Sequence, residues 1–187
     1  MGEIITLADG STIHISWWHV VILAVVVSGL SRLIATKPPK KSQEFYSTKL
    51  KQAPWSPPGW LFGPAWTFNN FFLLWALIKI IHLGASPIKT GLLYMQLFIW
   101  IIFYSFDFVY FNKKSPILAA IWTKSDFLLA LISFMTAWGI DLNLAFCYAP
   151  LTLWTGFAGT VAIYQALYNG DPVFRTRPVV EYLRRKK

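Results

Sequence analysis

Long runs of apolar residues, separated by polar segments, dominate this chain. Five such runs lie at about residues 17–35, 60–82, 91–111, 116–138 and 144–168. Each is close to the roughly 20 residues that an α-helix needs to cross the hydrocarbon core of a bilayer. The pattern therefore predicts an all-α integral membrane protein. Its membrane domain, residues 17–169, is predicted to be a bundle of five transmembrane helices.

The polar segments between these runs are short, with one exception. Residues 82–90, 112–115 and 139–143 connect the later runs, and such short connections place consecutive helices side by side and antiparallel. Residues 36–59, between the first two runs, are much longer, and long loops in compact domains are often functional. We expect this loop to fold back over one end of the bundle and cap it.

Composition supports a membrane protein rather than a soluble one. Of the 187 residues 56% are hydrophobic and 13% are charged, whereas a typical soluble domain is about 25% charged. The one cysteine, Cys147, cannot form an intramolecular disulfide, and in its apolar setting it is expected to be a small buried hydrophobic residue.

The net charge of +9 has an uneven distribution that predicts the orientation in the membrane. Most of the 17 Lys and Arg residues lie in the loop after the first run, in residues 112–115 and after the fifth run. By the positive-inside rule, these segments face the cytoplasm. Residues 1–16 are then an extracytoplasmic N-terminal segment, and residues 170–187 are a basic cytoplasmic tail. The basicity thus reflects topology and contact with the lipid bilayer, and it does not indicate a nucleic acid as partner.

The most distinctive segment is residues 54–67, PWSPPGWLFGPAWT, which leads into the second run. Each proline lacks an N–H and restricts φ, so the segment is expected to be a rigid, non-helical approach to a helix start. Its three tryptophans suit two roles, an interfacial belt or the lining of a pocket for a flat apolar ligand. The pattern alone leaves both open.

This segment resembles the signature of the TspO/MBR family (translocator protein / tryptophan-rich sensory protein). In the fifth run, Pro150, Trp154, Phe157 and Ala158 resemble a second family segment, with one extra residue between the proline and the tryptophan. The resemblance covers about residues 17–169 and is densest at 53–67 and around 154–158.

The chain departs from the family pattern at several positions. Asn69 and Asn70 stand where the family usually has Leu-Tyr. Trp100 and Phe103 replace an Asn and a Trp of the third helix, and Ala162 replaces an Asn of the fifth. These changes identify the chain as a divergent member.

The resemblance implies a five-helix bundle whose first loop caps a pocket that opens toward the cytoplasm. It implies binding of a porphyrin or another flat hydrophobic small molecule, for sensing or transport, and often a homodimer. Two alternatives are an interaction subunit with a degenerate pocket, and light-dependent porphyrin degradation, in which Trp66 and Trp154 would take part. The ligand-binding residues carried over or considered with them are Trp55, Trp60, Phe62, Trp66, Asn70, Gln96, Trp154 and Ala158.

Three charged residues, Asp107, Lys124 and Asp126, fall within the predicted spans. Because unpaired charges are costly in hydrocarbon, such residues are functional candidates. A Lys124–Asp107 ion pair across the third and fourth helices is the favoured interpretation; the alternatives are a role in ligand or proton handling and a misplaced span boundary. Asn69, Asn70 and Gln96 are expected to form interhelical hydrogen bonds. The three histidines have no metal-ligand spacing, so no metal site is predicted.

Overall fold

The computed structural model describes residues 2–6, 12–34, 48 and 50–181. Five apolar helices lie in these residues and form the bundle: α1 (Trp17–Ile34), α2 (Phe62–His82), α3 (Pro87–Asp107), α4 (Pro116–Trp138) and α5 (Leu142–Tyr168). Helices α2 to α5, with the turns that flank them, are long and apolar enough to cross a membrane, and α1 adds a shorter apolar stretch at Trp17–Val26. The prediction of an all-α multi-pass bundle is confirmed.

Helix starts follow capping signals. The hydroxyls of Ser86 and Ser115 accept hydrogen bonds from the backbone N–H groups of Lys89 and Leu118, and a proline follows each serine at the first helical position. Both features favour a helix N-terminus, because the first N–H groups have no partner within the helix. Helix α3 therefore begins four residues before the start at residue 91 that hydropathy predicted.

The N-terminal segment contains a β-hairpin that hydropathy did not predict. Strand β1 (Gly2–Thr6) pairs antiparallel with β2 (Thr12–Ser16), with Gly2 opposite Ser16. In β2, isoleucines alternate with polar residues, which is the two-residue period of a strand. Ile15 packs beside Val20 and Leu74, so the hairpin joins the cluster between α1 and α2.

Helices α4 and α5 approach each other closely at two glycines of α5. A Cβ added to Gly156 would lie 3.2 Å from the Phe127 ring, and one added to Gly159 would lie 2.7 Å from Lys124 Cε. Small residues allow membrane helices to pack at short distance, where dispersion contacts are numerous. The α4–α5 pair forms one side of the bundle.

A hydrogen-bond chain crosses the centre of the bundle. The Gln96 side chain of α3 donates to the Leu73 carbonyl of α2 at 3.2 Å and accepts from the Tyr148 hydroxyl of α5 at 2.8 Å. All three residues are buried, and groups buried in this way must be paired because an unmet hydrogen bond is costly. Gln96 thus connects three helices.

One end of the bundle carries most of the candidate site, and we call it the loop end. It is the end at which α2 and α4 begin and α3 and α5 finish. A π-helical turn, Phe108–Asn112, extends α3 there. Just beyond α5, the buried Asp171 carboxylate accepts from the Ser115 hydroxyl at 2.6 Å and from the Ile117 N–H at 3.0 Å. The start of the tail is thereby attached to the start of α4.

Candidate functional site

The two signature tryptophans meet near the loop end of the bundle. Trp66 lies one turn inside α2, and Trp154 lies in the middle of α5. Their ring centroids are 6.4 Å apart with an interplanar angle of 81°. Both side chains are half-buried. The structure thus brings together two residues that the sequence places 88 positions apart.

Three phenylalanines surround this pair and complete a group that we call the aromatic core: Phe62, Trp66, Phe103, Phe106 and Trp154. Phe62 lies 5.9 Å from Trp154, and Phe103 lies 4.9 Å from Trp66, both edge to face. Phe106 lies 6.2 Å from Trp66. Edge-to-face contact is a favoured geometry for aromatic pairs. It also means that the two indoles present no parallel slot, so a flat ligand between them requires one ring to turn.

The last part of the first loop covers the loop end. We call residues 50–58 the strap; residues 36–47 and 49 of the loop lie outside the described residues. The backbone of Lys51 exchanges two hydrogen bonds with the Asn169 side chain, at 2.7 and 3.1 Å. Gln52 accepts from Gln165 at 2.8 Å. These contacts hold the strap against the last turns of α5.

A small apolar cluster lies beneath the strap. Leu50 is buried against Tyr110 and Ala119, with Phe106 packed beside them. The Tyr110 ring stacks on Phe106 with 5.5 Å between the ring centroids, and its hydroxyl donates a hydrogen bond to Gln165 Oε1 at 2.8 Å. Because Phe106 also contacts Trp66, a continuous aromatic path connects the strap with the aromatic core.

The other motif tryptophans lie outside the aromatic core. Trp55 belongs to the strap, donates to the Thr160 hydroxyl at 3.1 Å and contacts the Tyr164 ring edge-on at 5.5 Å. Trp60 is 73% exposed on the turn before α2. Ala158 is half-buried one turn beyond Trp154. The structure therefore assembles three of the predicted ligand residues, Phe62, Trp66 and Trp154, and places Trp55 in the strap against Thr160 and Tyr164.

The side chains of two predicted polar site residues, Asn70 and Gln96, already form hydrogen bonds between helices. Asn70 is buried and accepts from the Trp100 indole of α3 at 3.3 Å. Gln96 holds the central hydrogen-bond chain. These contacts match the interhelical hydrogen bonds expected for both residues.

The expected Lys124–Asp107 ion pair does not form within the described part of the chain. Asp107 is exposed at the end of α3. Lys124 lies instead along Gly159 of α5, where the absence of a side chain makes room for its stem, and its Nζ is 5.3 Å from the Phe127 ring centroid. Asp126 is 1% exposed, and among the described residues neither of its carboxylate oxygens has a hydrogen-bond partner.

Several residues of the site were missed in the sequence. Tyr110, Gln165 and Thr160 connect the strap, α3 and α5. Gln165 carried a usable signal, because a Gln within an apolar span normally pairs with another group. Phe103 and Phe106 carried none, since phenylalanine is common throughout these helices.

Two open grooves lie on the two sides of α2. One, of about 520 Å³, lies between α1 and α2. The other, of about 380 Å³, lies between α2 and α5 and includes Trp154 in its wall. In residues 2–6, 12–34, 48 and 50–181, no group of three or more His, Cys, Asp or Glu side chains is placed to hold a metal ion.

Comparison with known proteins agrees with this architecture. The model of the TspO/MBR family matches residues 20–167, which is most of the chain and includes all five helices in whole or in part. No curated protein sequence matches at a significant level.

Proposed function

Since the chain belongs to the TspO/MBR family, we propose that it binds a flat hydrophobic ligand of the tetrapyrrole type in the aromatic core, for sensing or transport. Family membership suggests a membrane protein that binds tetrapyrroles or sterols. The observation that carries the proposal is the meeting of Trp66 and Trp154 at 6.4 Å.

The chemistry of the aromatic core suits a macrocycle better than a small polar molecule. Its five side chains are all aromatic and uncharged, and they come from α2, α3 and α5. A ligand that slides between Trp66 and Trp154 exchanges edge-to-face contacts for stacked ones, which are similarly favourable. The interaction therefore gains buried apolar area with little loss of aromatic contact.

The strap supplies a gate that is held by several weak contacts. Its hydrogen bonds to α5 are neutral, and each contributes only about 0.5–1.5 kcal/mol net. Leu50 and Ala53 are its buried apolar residues, and full burial of a leucine contributes about 1.5–3 kcal/mol. The four hydrogen bonds and Leu50 alone thus contribute roughly 4–9 kcal/mol, and Trp55 and Lys51 add contacts with the rings of Tyr164 and Tyr168, so a ligand that opens the whole strap must bury a large apolar face.

The same proposal includes an orientation, with the strap and the C-terminus facing the cytoplasm. It rests on the basic residues around the loop end and on the positive-inside rule. Labelling by a membrane-impermeant maleimide tests it, with Thr12→Cys and Val179→Cys compared in a Cys147→Ala background. In intact cells we expect labelling at position 12 alone, and labelling at 179 alone overturns the orientation.

Titration with protoporphyrin IX tests the ligand. Binding should quench tryptophan fluorescence in a saturable manner. The double variant Trp66→Ala, Trp154→Ala should weaken binding at least about tenfold, because it removes two stacking partners and their apolar area, and tenfold corresponds to about 1.4 kcal/mol.

The matched control is Trp138→Ala. Trp138 is 52% exposed and lies at the other end of the bundle, in α4. Its removal should leave the dissociation constant within about twofold of wild type. Equal affinity of the core variant and the control, or no saturable quenching in the wild type at micromolar ligand, would refute the proposal.

A further inference from the structure

The chain just beyond α5 presents apolar and basic side chains together at the loop end. We call residues 171–177 the tail turn, which two backbone hydrogen bonds of 3.1 Å between its own residues close. At its tip Val173 is 44% exposed and Phe174 is 48% exposed. Arg175 and Arg177 follow, and both are exposed. The tail turn thus offers two large apolar side chains and two cations to whatever lies outside the bundle.

The buried carboxylate of Asp171 fixes the position of the tail turn. One of its oxygens accepts from the N–H groups of Val173 and Phe174, at 2.9 and 3.0 Å. The other accepts from the Ser115 hydroxyl and the Ile117 N–H at the start of α4. Asp171 is 2% exposed, so its charge is taken up by these four donors. The tip is therefore held at the ends of both helices.

The same contact joins the tail turn to a second basic segment. Lys113 and Lys114 immediately precede Ser115, and both are exposed. The Lys113 ammonium lies 5.3 Å from the ring centroid of Phe108, which is 53% exposed. We call Phe108, Lys113, Lys114 and the tail turn together the basic patch. Its four cations and three exposed apolar side chains lie on two segments that the hydrogen bond from Ser115 holds together.

The composition of the basic patch indicates its partner. In residues 105–118 and 168–181 the exposed acidic side chains are Asp107 and Glu181, so two positive charges are in excess. Basic residues beside a membrane helix attract anionic headgroups, and the guanidinium group matches the geometry of a phosphate. Phe174 lies six residues after the end of α5 at Tyr168, where aromatic rings suit the membrane interface. A soluble phosphate would use only the cations, whereas a phospholipid uses both kinds of side chain.

We propose that the basic patch binds the headgroup of an anionic phospholipid in the leaflet that the loop end meets. Arg175 and Arg177 bind the phosphate oxygens, and Val173 and Phe174 insert beside the acyl chains. The lysines of the patch add attraction for the negative charge. This inference goes beyond the proposed function and does not involve the aromatic core.

Competition between two lipids, measured by native mass spectrometry, tests this proposal. The purified full-length chain in a neutral detergent is mixed with equal amounts of phosphatidylglycerol and phosphatidylcholine that carry the same acyl chains. We expect molecules with one bound lipid to hold phosphatidylglycerol about fivefold more often. Fivefold corresponds to about 1 kcal/mol, which is the contribution of one basic residue near an anionic membrane surface.

Variants assign this preference to the tail turn. Arg175→Gln combined with Arg177→Gln should lower it to about twofold or less. The matched control, Arg184→Gln combined with Arg185→Gln, removes the same charge from positions outside the described residues and should keep the wild-type preference. Phe174→Ser should also lower the preference, because the tip then no longer holds the arginines at the depth of the headgroups. Thermal midpoints equal to that of the wild type show that the variants are folded.

Equal binding of the two lipids by the wild type overturns the proposal. So does an equal loss of preference in the two arginine pairs, because net charge alone would then explain the selectivity. A preference in Phe174→Ser as large as in the wild type would indicate a site for soluble anions and would also overturn it. None of these outcomes depends on the protoporphyrin titration, so this inference and the proposed function can fail separately.

Discussion

Polar side chains buried in the bundle differ in whether a partner lies within hydrogen-bond reach. Gln96, Tyr148 and Asn70 are paired across helices. Asn69 Oδ1 and the Asp126 carboxylate have no partner among the described residues. Paired groups fix the positions of helices, whereas burial of unpaired ones costs free energy. The neighbouring asparagines Asn69 and Asn70 thus differ in hydrogen bonding, although both are buried in α2.

Asp171, just beyond α5, makes stability depend on pH. Burial acts to raise the pKa of its carboxyl, but hydrogen bonds from the Ser115 hydroxyl and from the N–H groups of Phe174, Ile117 and Val173 favour the charged form. The resulting pKa lies below the usual value. A carboxyl with a depressed folded-state pKa stabilises the fold above its unfolded pKa, near 3.9, and this contribution is lost as pH falls through the lower, folded value.

We therefore expect Asp171→Asn to lower the thermal midpoint at pH 7 and to flatten its decline below about pH 4. Thermal unfolding followed by circular dichroism between pH 7 and pH 2.5 measures both effects. Ser115→Ala should act in the same direction but less, because the three backbone donors remain. An unchanged pH slope in Asp171→Asn contradicts this account of the tail.

At the scale of elements, the contact between α4 and α5 depends on missing side chains. Gly156 leaves room for the Phe127 ring, and a leucine there would overlap it. We expect Gly156→Leu to reduce the free energy of unfolding by about 1–3 kcal/mol, which is the usual cost of overpacking. Chemical denaturation in a detergent micelle measures it.

Gly91 in α3 is the matched control. It is also a helical glycine, but nothing lies within 4 Å of a Cβ added there. Gly91→Leu should be neutral or slightly stabilising, because glycine is a poor helix former. Similar losses for the two variants would show that the contact at Gly156 has no special weight.

The helices were predictable from the sequence because each apolar run is long and Ser-Pro caps mark two of the starts. The pairing of strands Gly2–Thr6 and Thr12–Ser16 was missed, since two five-residue strands give a weak signal beside spans of twenty residues. The contact of the strap with α5 was also out of reach. Gln52 and Gln165 are separated by 113 positions, and only the folded chain shows that the strap returns to the end of α5.

The candidate site, too, was predictable from the sequence only in part. The motif and its resemblance predicted Trp66 and Trp154 as a pair, and the structure brings them into contact. The sequence could not predict that the rings of Trp66 and Trp154 meet edge to face, or that Phe103 and Phe106 complete the aromatic core. Ring orientation depends on the packing of α3 against α2, which one sequence does not encode in any local pattern.

At the scale of the whole molecule, the contacts that stabilise the bundle lie apart from the proposed ligand site. The hydrogen-bond chain through Gln96 crosses the middle of the bundle, and the close α4–α5 contact forms one side of it. The aromatic core and the strap lie at the loop end, where hydrogen bonds, the buried Leu50 and Ala53, and contacts of Lys51 and Trp55 with tyrosine rings hold the strap. Such a division allows the loop end to open without loss of the bundle, because local opening needs less free energy than global unfolding.

Amide hydrogen exchange with and without protoporphyrin IX tests this account most directly. Binding in the aromatic core predicts added protection in the strap, in the first turns of α2 and around residues 160–169 of α5. It predicts no change in the connections at residues 83–86 and 139–141, which lie at the opposite end. Protection confined to that opposite end, or no change at the strap under saturating ligand, would contradict the central claim.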